Sequence, residues 1–132
     1  MAYLKPPLFA SKVFNKLAIA TGIMGTEKLT VNGRKSGRPQ SIPVIPVEFD
    51  GARYLVSTRG ESQWVRNVRA NPQVQVARRR AAGTYTATEI PTSGRAAILQ
   101  AYREKAGREV EQYFRKLPDP ADHPVFKLTR QG

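Results

Sequence analysis

Apolar and polar positions change period several times along this chain. Residues 27–32 (Glu-Lys-Leu-Thr-Val-Asn) alternate and carry β-formers, which predicts a strand. Residues 40–49 (Gln-Ser-Ile-Pro-Val-Ile-Pro-Val-Glu-Phe) predict a second strand. Pro43 and Pro46 bring no N–H to a ladder, so this strand belongs at an edge, a bulge or a barrel corner. Asp50-Gly51 is a strong hairpin signal, and the strand Arg53-Tyr54-Leu55-Val56-Ser57-Thr58 follows it. The period then becomes helical: Trp64, Val65 and Val68 predict a short helix over 61–70, stopped by Asn71-Pro72. Residues 73–77 and 84–90 alternate again as two strands. Pro91-Thr92-Ser93 supplies capping residues for a helix over 93–106 with Ala96, Leu99, Tyr102 and Ala106 on its apolar positions. Gly107 breaks it, a second segment carries Val110, Tyr113 and Phe114, and residues 125–129 close as a strand after a loop over 118–124.

The hairpin-linked strands predict antiparallel pairing and a small barrel with helices packed outside, in one domain over 1–132. Ahead of it, residues 1–26 read as an N-terminal amphipathic or helical segment. Residues 8–19 place Phe9, Val13 and Leu17 on one helical face among Lys5, Lys12 and Lys16. Two uses of that face stay open: covering the barrel, or lying on an anionic membrane surface. No run reaches the roughly 18 apolar residues of a spanning helix, and no signal-peptide pattern is expected.

Composition narrows the chemistry. A chain of 132 residues with 40% apolar and 24% charged positions can bury a core of its own. The absence of cysteine excludes disulfides, thiolate catalysis and cysteine-ligated metals, and fits a cytoplasmic location. His123 is the only histidine and reads as a surface or packing residue; no cluster of Asp and Glu stands ready for a metal, so none is expected. Redox or group-transfer chemistry would therefore need an organic cofactor. The net charge of +12 gathers in the predicted sheet, where residues 34–80 hold ten Arg or Lys against Glu48, Asp50 and Glu61.

The basic turn Gly33-Arg34-Lys35-Ser36-Gly37-Arg38 combines two flexible glycines, three cations and a hydroxyl, which suits an anionic group such as phosphate. It is not the phosphate loop of nucleotide hydrolases, in which Gly-Lys-Ser/Thr opens a helix. A soluble hairpin decorated with cations has the same pattern. Ser57-Thr58-Arg59-Gly60-Glu61 lies at a strand-to-helix junction, where free N–H groups favour anions and Arg59 offers a charge-assisted hydrogen bond. A capped helix start looks the same. Trp64 suits core packing or the edge of a ligand cleft, and Arg78-Arg79-Arg80 reads as a solvated charge run.

Taken together, Leu29–Gly37, Pro43-Val44, Tyr54–Ser57, Trp64-Val65-Arg66-Asn67-Val68-Arg69-Ala70-Asn71-Pro72 and Val74-Gln75-Val76 resemble the deazaflavin-dependent nitroreductase and quinone reductase family of actinobacteria. The resemblance is close over about residues 27–77. It implies a split β-barrel of the FMN-binding-like type and the cofactor coenzyme F-420. It also implies that Arg34, Lys35 and Ser36, helped by Arg38, hold the coenzyme's phosphate end. Ser57, Thr58, Arg59, Gly60 and Glu61 would contact it near the deazaflavin ring, Trp64 and Asn67 would shape the site, and Tyr113, with Tyr102 as a second candidate, would stand on the substrate side. The implied reaction is hydride transfer from reduced deazaflavin to a small organic acceptor, a quinone or a nitroaromatic. A basic, apolar N-terminus would suit peripheral contact with the inner face of a membrane. Two other classes remain open: a non-catalytic relative binding a lipid or fatty acid in the barrel, and a basic nucleic-acid-binding barrel. For the latter, the exposed aromatics that would stack bases are few, so no specific nucleic acid is expected.

Overall fold

The computed structural model describes residues 26–78 and 81–131. The predicted N-terminal helix, Arg79 and Arg80 lie outside the described residues. The rest forms one seven-stranded sheet curled into a half-barrel, with β1 Glu27–Asn32, β2 Pro39–Val44, β3 Val47–Phe49, β4 Ala52–Val56, β5 Gln73–Arg78, β6 Ala81–Glu89 and β7 Val125–Arg130. Its order is β2-β1-β5-β6-β7-β4-β3, with every neighbouring pair antiparallel. Helix α1 (Gln63–Ala70) joins β4 to β5, while α2 (Ala96–Ala106) and α3 (Glu111–Lys116) lie between β6 and β7. None of these helices is long and apolar enough to cross a membrane.

The alternating strands divide their side chains between two cores. Leu29, Val31, Leu55, Val74, Val76 and Phe126 enter an inner cluster that Val65 and Val68 of α1 complete. Their neighbours Tyr54, Val56 and Val125 point the other way, into a cluster with Ile98, Leu99 and Tyr102 of α2 and Phe114 of α3. One sheet thus buries both faces, and each helix covers the face that its own apolar stripe selects.

Element boundaries depart from expectation at three places. The strand expected over 40–49 is two strands, β2 and β3, broken at Ile45-Pro46; they form the two opposite edges of the sheet. Pro43 sits in edge strand β2 opposite Lys28, where no outer neighbour needs its N–H. The strand expected over 84–90 begins at Ala81, because β5 supplies ladder partners even to Ala81, Ala82 and Gly83. The helix expected from 93 opens with a 3₁₀ turn at Thr92–Gly94 before α2 proper. It ends at Gly107, whose φ of +83° only glycine adopts without strain.

Phe126 is 1% exposed at the centre of the inner cluster. Phe126→Ala should destabilise the fold by about 3–5 kcal/mol, read as a lower urea midpoint at unchanged slope.

Candidate functional site

The Gly33–Arg38 turn is closed by its own backbone: Gly33 N–H donates to Arg38 O at 2.9 Å and Gly37 N–H to Gly33 O at 2.9 Å. Gly37 takes φ of +72°. A Cβ at Gly33 would stand 2.9 Å from Gln40 Nε2 and 3.0 Å from Ser36 Oγ, so a side chain there would push these two polar groups aside.

Helix α1 grips this turn. Gln63 and Asn67 are four residues apart and share a helical face. Asn67 Oδ1 accepts from the Arg34 backbone N–H at 3.1 Å and from Arg34 Nη1 at 2.8 Å. Gln63 Oε1 accepts from Arg34 Nη2 at 2.8 Å, and Asn67 Nδ2 donates to Gln40 Oε1 at 3.2 Å. Two of the guanidinium's five N–H groups are spent on α1, which aims the rest. Lys35, Ser36 and Arg38 are exposed, and residues 33–36 of the turn, with Gln40, Gln63 and Asn67, line a cavity of about 390 Å³. Gln40 and Gln63 were not among the residues expected here. The four-residue spacing of Gln63 to Asn67 was the available signal, while Gln40 carried none.

The N-terminus of α1 receives the second loop. Ser57 Oγ donates to Gly60 O at 2.5 Å, Ser62 N–H donates to the same oxygen at 2.8 Å, and Gly60 takes φ of +85°. The Glu61 carboxylate is held by Arg69 at 2.5 and 3.0 Å. Arg69 in turn binds Glu89 at 2.8 and 2.9 Å, and Arg95 binds Glu89 at 3.2 Å. Ser57 and Glu61 therefore spend their side chains on holding the loop. Thr58 and Arg59 are half-buried and carry no side-chain hydrogen bond among the described residues. Ser62, the N-cap of α1, is 7% exposed, and its hydroxyl has no hydrogen-bond partner among the described residues. A polar atom so buried asks for one.

Arg59 connects this loop to the helices. Its guanidinium lies 5.9 Å from the ring centroid of half-buried Tyr113 on α3. Burial pushes the Tyr102 hydroxyl on α2 up to about 12, although nearby Arg59 pulls it down. That phenol stays protonated at neutral pH. Trp64 is half-buried and packs on the inner cluster, its ring 5.7 Å from that of Phe126. His123 is fully buried and stacked 4.3 Å from Phe114, with Nδ1 2.9 Å from Ser57 O and Nε2 2.5 Å from Leu117 O. It is a packing residue that pins the second loop to the connection before β7.

α1 thus brings the two predicted loops onto one helix: its N-terminus takes residues 57–62, and its Gln63–Asn67 face takes residues 33–38. Residues 12–117 match the F-420H(2)-dependent quinone reductase family. The chain belongs to that family. Its cofactor is coenzyme F-420, and it is an F-420-dependent oxidoreductase. Among solved structures, an F-420-H2 dependent reductase is 27% identical, with 78% of this chain and 92% of that chain covered at a TM-score of 0.60. An F-420 reductase (18% identity, 81% and 86% covered, TM-score 0.55) and a heme storage protein from Vibrio cholerae (16%, 84% and 84%, 0.60) share the fold. No curated protein sequence matches the chain.

The residues present fit the quinone reductase family's anionic coenzyme. The turn offers Lys35, Ser36 and the spare donors of Arg34 to the cavity, with exposed Arg38 following at its end.

Two outcomes follow from this geometry. Asn67→Ala strips the Arg34 N–H and guanidinium of their acceptor and should cost about 1–3 kcal/mol, measured by chemical denaturation. Hydrogen bonding from Arg69 lowers the Glu89 carboxyl below its ordinary 4.5. The folded state therefore holds Glu89 ionised to lower pH than the unfolded chain does. Its stabilisation is complete above about pH 4.5 and disappears as pH falls through the lower folded value. Glu89→Gln should flatten the acid limb of a plot of melting temperature against pH; an unchanged limb would contradict the pairing.

Proposed function

We propose that the protein reduces a quinone with hydride from F-420, whose phosphate end rests on the Gly33–Arg38 turn. The observation that carries this reading is the turn's attachment to α1, in which Asn67 and Gln63 fix Arg34 beside exposed Lys35 and Ser36. A cationic fork held in advance loses little freedom when it binds a phosphate bidentately. Arg38, at the far end of the turn, adds charge, and the basic balance of the sheet draws in a polyanionic coenzyme.

When bound, the reduced deazaflavin supplies the hydride, so the protein's work is positioning. In this reading the loop of Ser57, Thr58, Arg59, Gly60 and Glu61 borders the ring, with Gly60 allowing close backbone approach and the Glu61–Arg69 pair fixing the loop's course. Trp64 walls the cleft from the inner cluster. Asn67 acts through Arg34 rather than by touching the coenzyme. Tyr113 stands on the acceptor side with Arg59 against its ring, and protonated Tyr102 lies behind them. Arg59 can donate to an acceptor oxygen on which negative charge develops. A quinone oxygen gains such charge, as do the oxygens of a nitro group, and membership of the quinone reductase family favours a quinone as the natural acceptor. The basic N-terminal segment fits access to a membrane-dissolved quinone from the cytoplasmic face.

The test is coenzyme binding followed by F-420 fluorescence, then oxidation of the reduced coenzyme by a soluble menaquinone analogue and by a nitroaromatic. Lys35→Ala, which removes an exposed charge, should weaken coenzyme binding roughly tenfold, and combination with Arg34→Ala should weaken it further. Faster turnover is expected with the quinone. Coenzyme affinity indifferent to both substitutions would overturn the placement of the phosphate.

A further inference from the structure

The inner face of the half-barrel is apolar in its middle and charged at one end. Each inward row terminates there: Leu29 gives way to Glu27 on β1, Val76 to Arg78 on β5, Leu55 to Arg53 on β4, and Leu128 to Arg130 on β7. These ends surround a cavity of about 620 Å³, floored by Val76 and walled by Ala82, Gly83 and Tyr85. Glu48 and Lys105 complete the lining, so it carries four cations (Arg53, Arg78, Lys105, Arg130) and two carboxylates (Glu27, Glu48), a net of +2.

The charges are not equally committed. Arg53 Nη2 pairs with Glu27 at 2.5 Å, and Lys105 donates to Pro46 O. Glu48 is exposed at the rim. Arg130 lies 5.9 Å from the Tyr85 ring centroid and, like Arg78, has no carboxylate partner among the described residues. Tyr85 folds over Gly83 so closely that a Cβ there would stand 3.0 Å from its ring. The glycine therefore sets the ring's position and with it the shape of the cavity.

This mouth is not the coenzyme site. β1 runs from Glu27 at the mouth to Asn32 at the Gly33–Arg38 turn, which at about 3.3 Å per residue separates the two by on the order of 17 Å. The packed inner cluster fills the space between them.

We propose that this mouth is a second anion site, which takes a small organic molecule with one carboxylate or phosphate group and a flat apolar body. Arg78 and Arg130 receive the anion, and Val76, Ala82 and the Tyr85 ring receive the body. The volume lies within the range of small-molecule sites. Guanidinium forks suit both oxyanions bidentately. The Glu27–Arg53 pair neutralises itself in the wall, which leaves the positive excess to the two uncommitted arginines.

Benzoate and phenyl phosphate, titrated into the ¹⁵N-labelled full chain and followed by amide NMR, test this. Saturable shifts are expected at Val76, Arg78, Ala82, Gly83 and Tyr85, with little change at Gly33–Ser36 or Asn67. The tighter of the two probes identifies the anion class. Arg78→Gln combined with Arg130→Gln should weaken that probe roughly tenfold or more, with F-420 affinity unchanged. Gly83→Ala, which keeps every charge but displaces Tyr85, should also weaken it. The proposal is overturned by shifts centred on Arg34 and Asn67, by unaltered affinity in the double variant, by equal binding of neutral benzamide, or by no saturable shift at all.

Discussion

The side-chain amide of Asn67, only 2% exposed, holds three groups at once: the backbone N–H of Arg34, its guanidinium and the amide of Gln40. A buried amide this fully committed allows few alternatives, because moving any partner leaves a polar atom unpaired out of water. The basic turn therefore cannot swing freely as a hairpin tip would. It is registered against α1, α1 is anchored by Val65 and Val68 in the barrel, and the barrel's curl fixes where the turn points. The loop of residues 57–62 obeys the same helix from its other end, and His123 ties it to the chain ahead of β7.

Charge enters the structure in two distinct ways. Around α1 it is internal, with Glu61, Arg69, Glu89 and Arg95 forming a chain of ion pairs that fastens the second loop to α1, β6 and the start of α2. Several shared charges of this kind constrain geometry better than isolated surface pairs. At the turn, and at Arg78 and Arg130 of the barrel mouth, the cations have no carboxylate partner among the described residues, so their fields face outward. The same residue types serve as cement in one place and as bait in another, and only the position of the acids distinguishes the two.

What the sequence revealed depended on the range of the information. Local patterns carried the strands, the Asp50-Gly51 hairpin and α1, because alternation and helical spacing register burial residue by residue. Pro43 and Pro46 marked an edge, a bulge or a corner, but not a split into two strands at Ile45-Pro46, since the apolar pattern continues across it while the chain passes from one sheet edge to the other. Ala81–Gly83 lacked β-forming side chains and became a strand because β5 offered a ladder. The basic turn was visible as a residue type, but its docking was not: Asn67 and Gln63 lie 33 and 29 residues away, and nothing local announces that pairing. The resemblance named Glu61 as part of the loop near the ring, and nothing local showed that Arg69, eight residues on, takes up its carboxylate.

An open sheet leaves two margins where another molecule's backbone could attach. Here β2 and β3 are both margins, joined by only two residues, and both are poor templates. β3 is three residues long, Pro43 removes a donor from β2, and Pro46 removes another at the corner between them. The feature that bends the chain around the barrel thus also blunts its edges against runaway strand addition, a protection against aggregation that costs no dedicated residue.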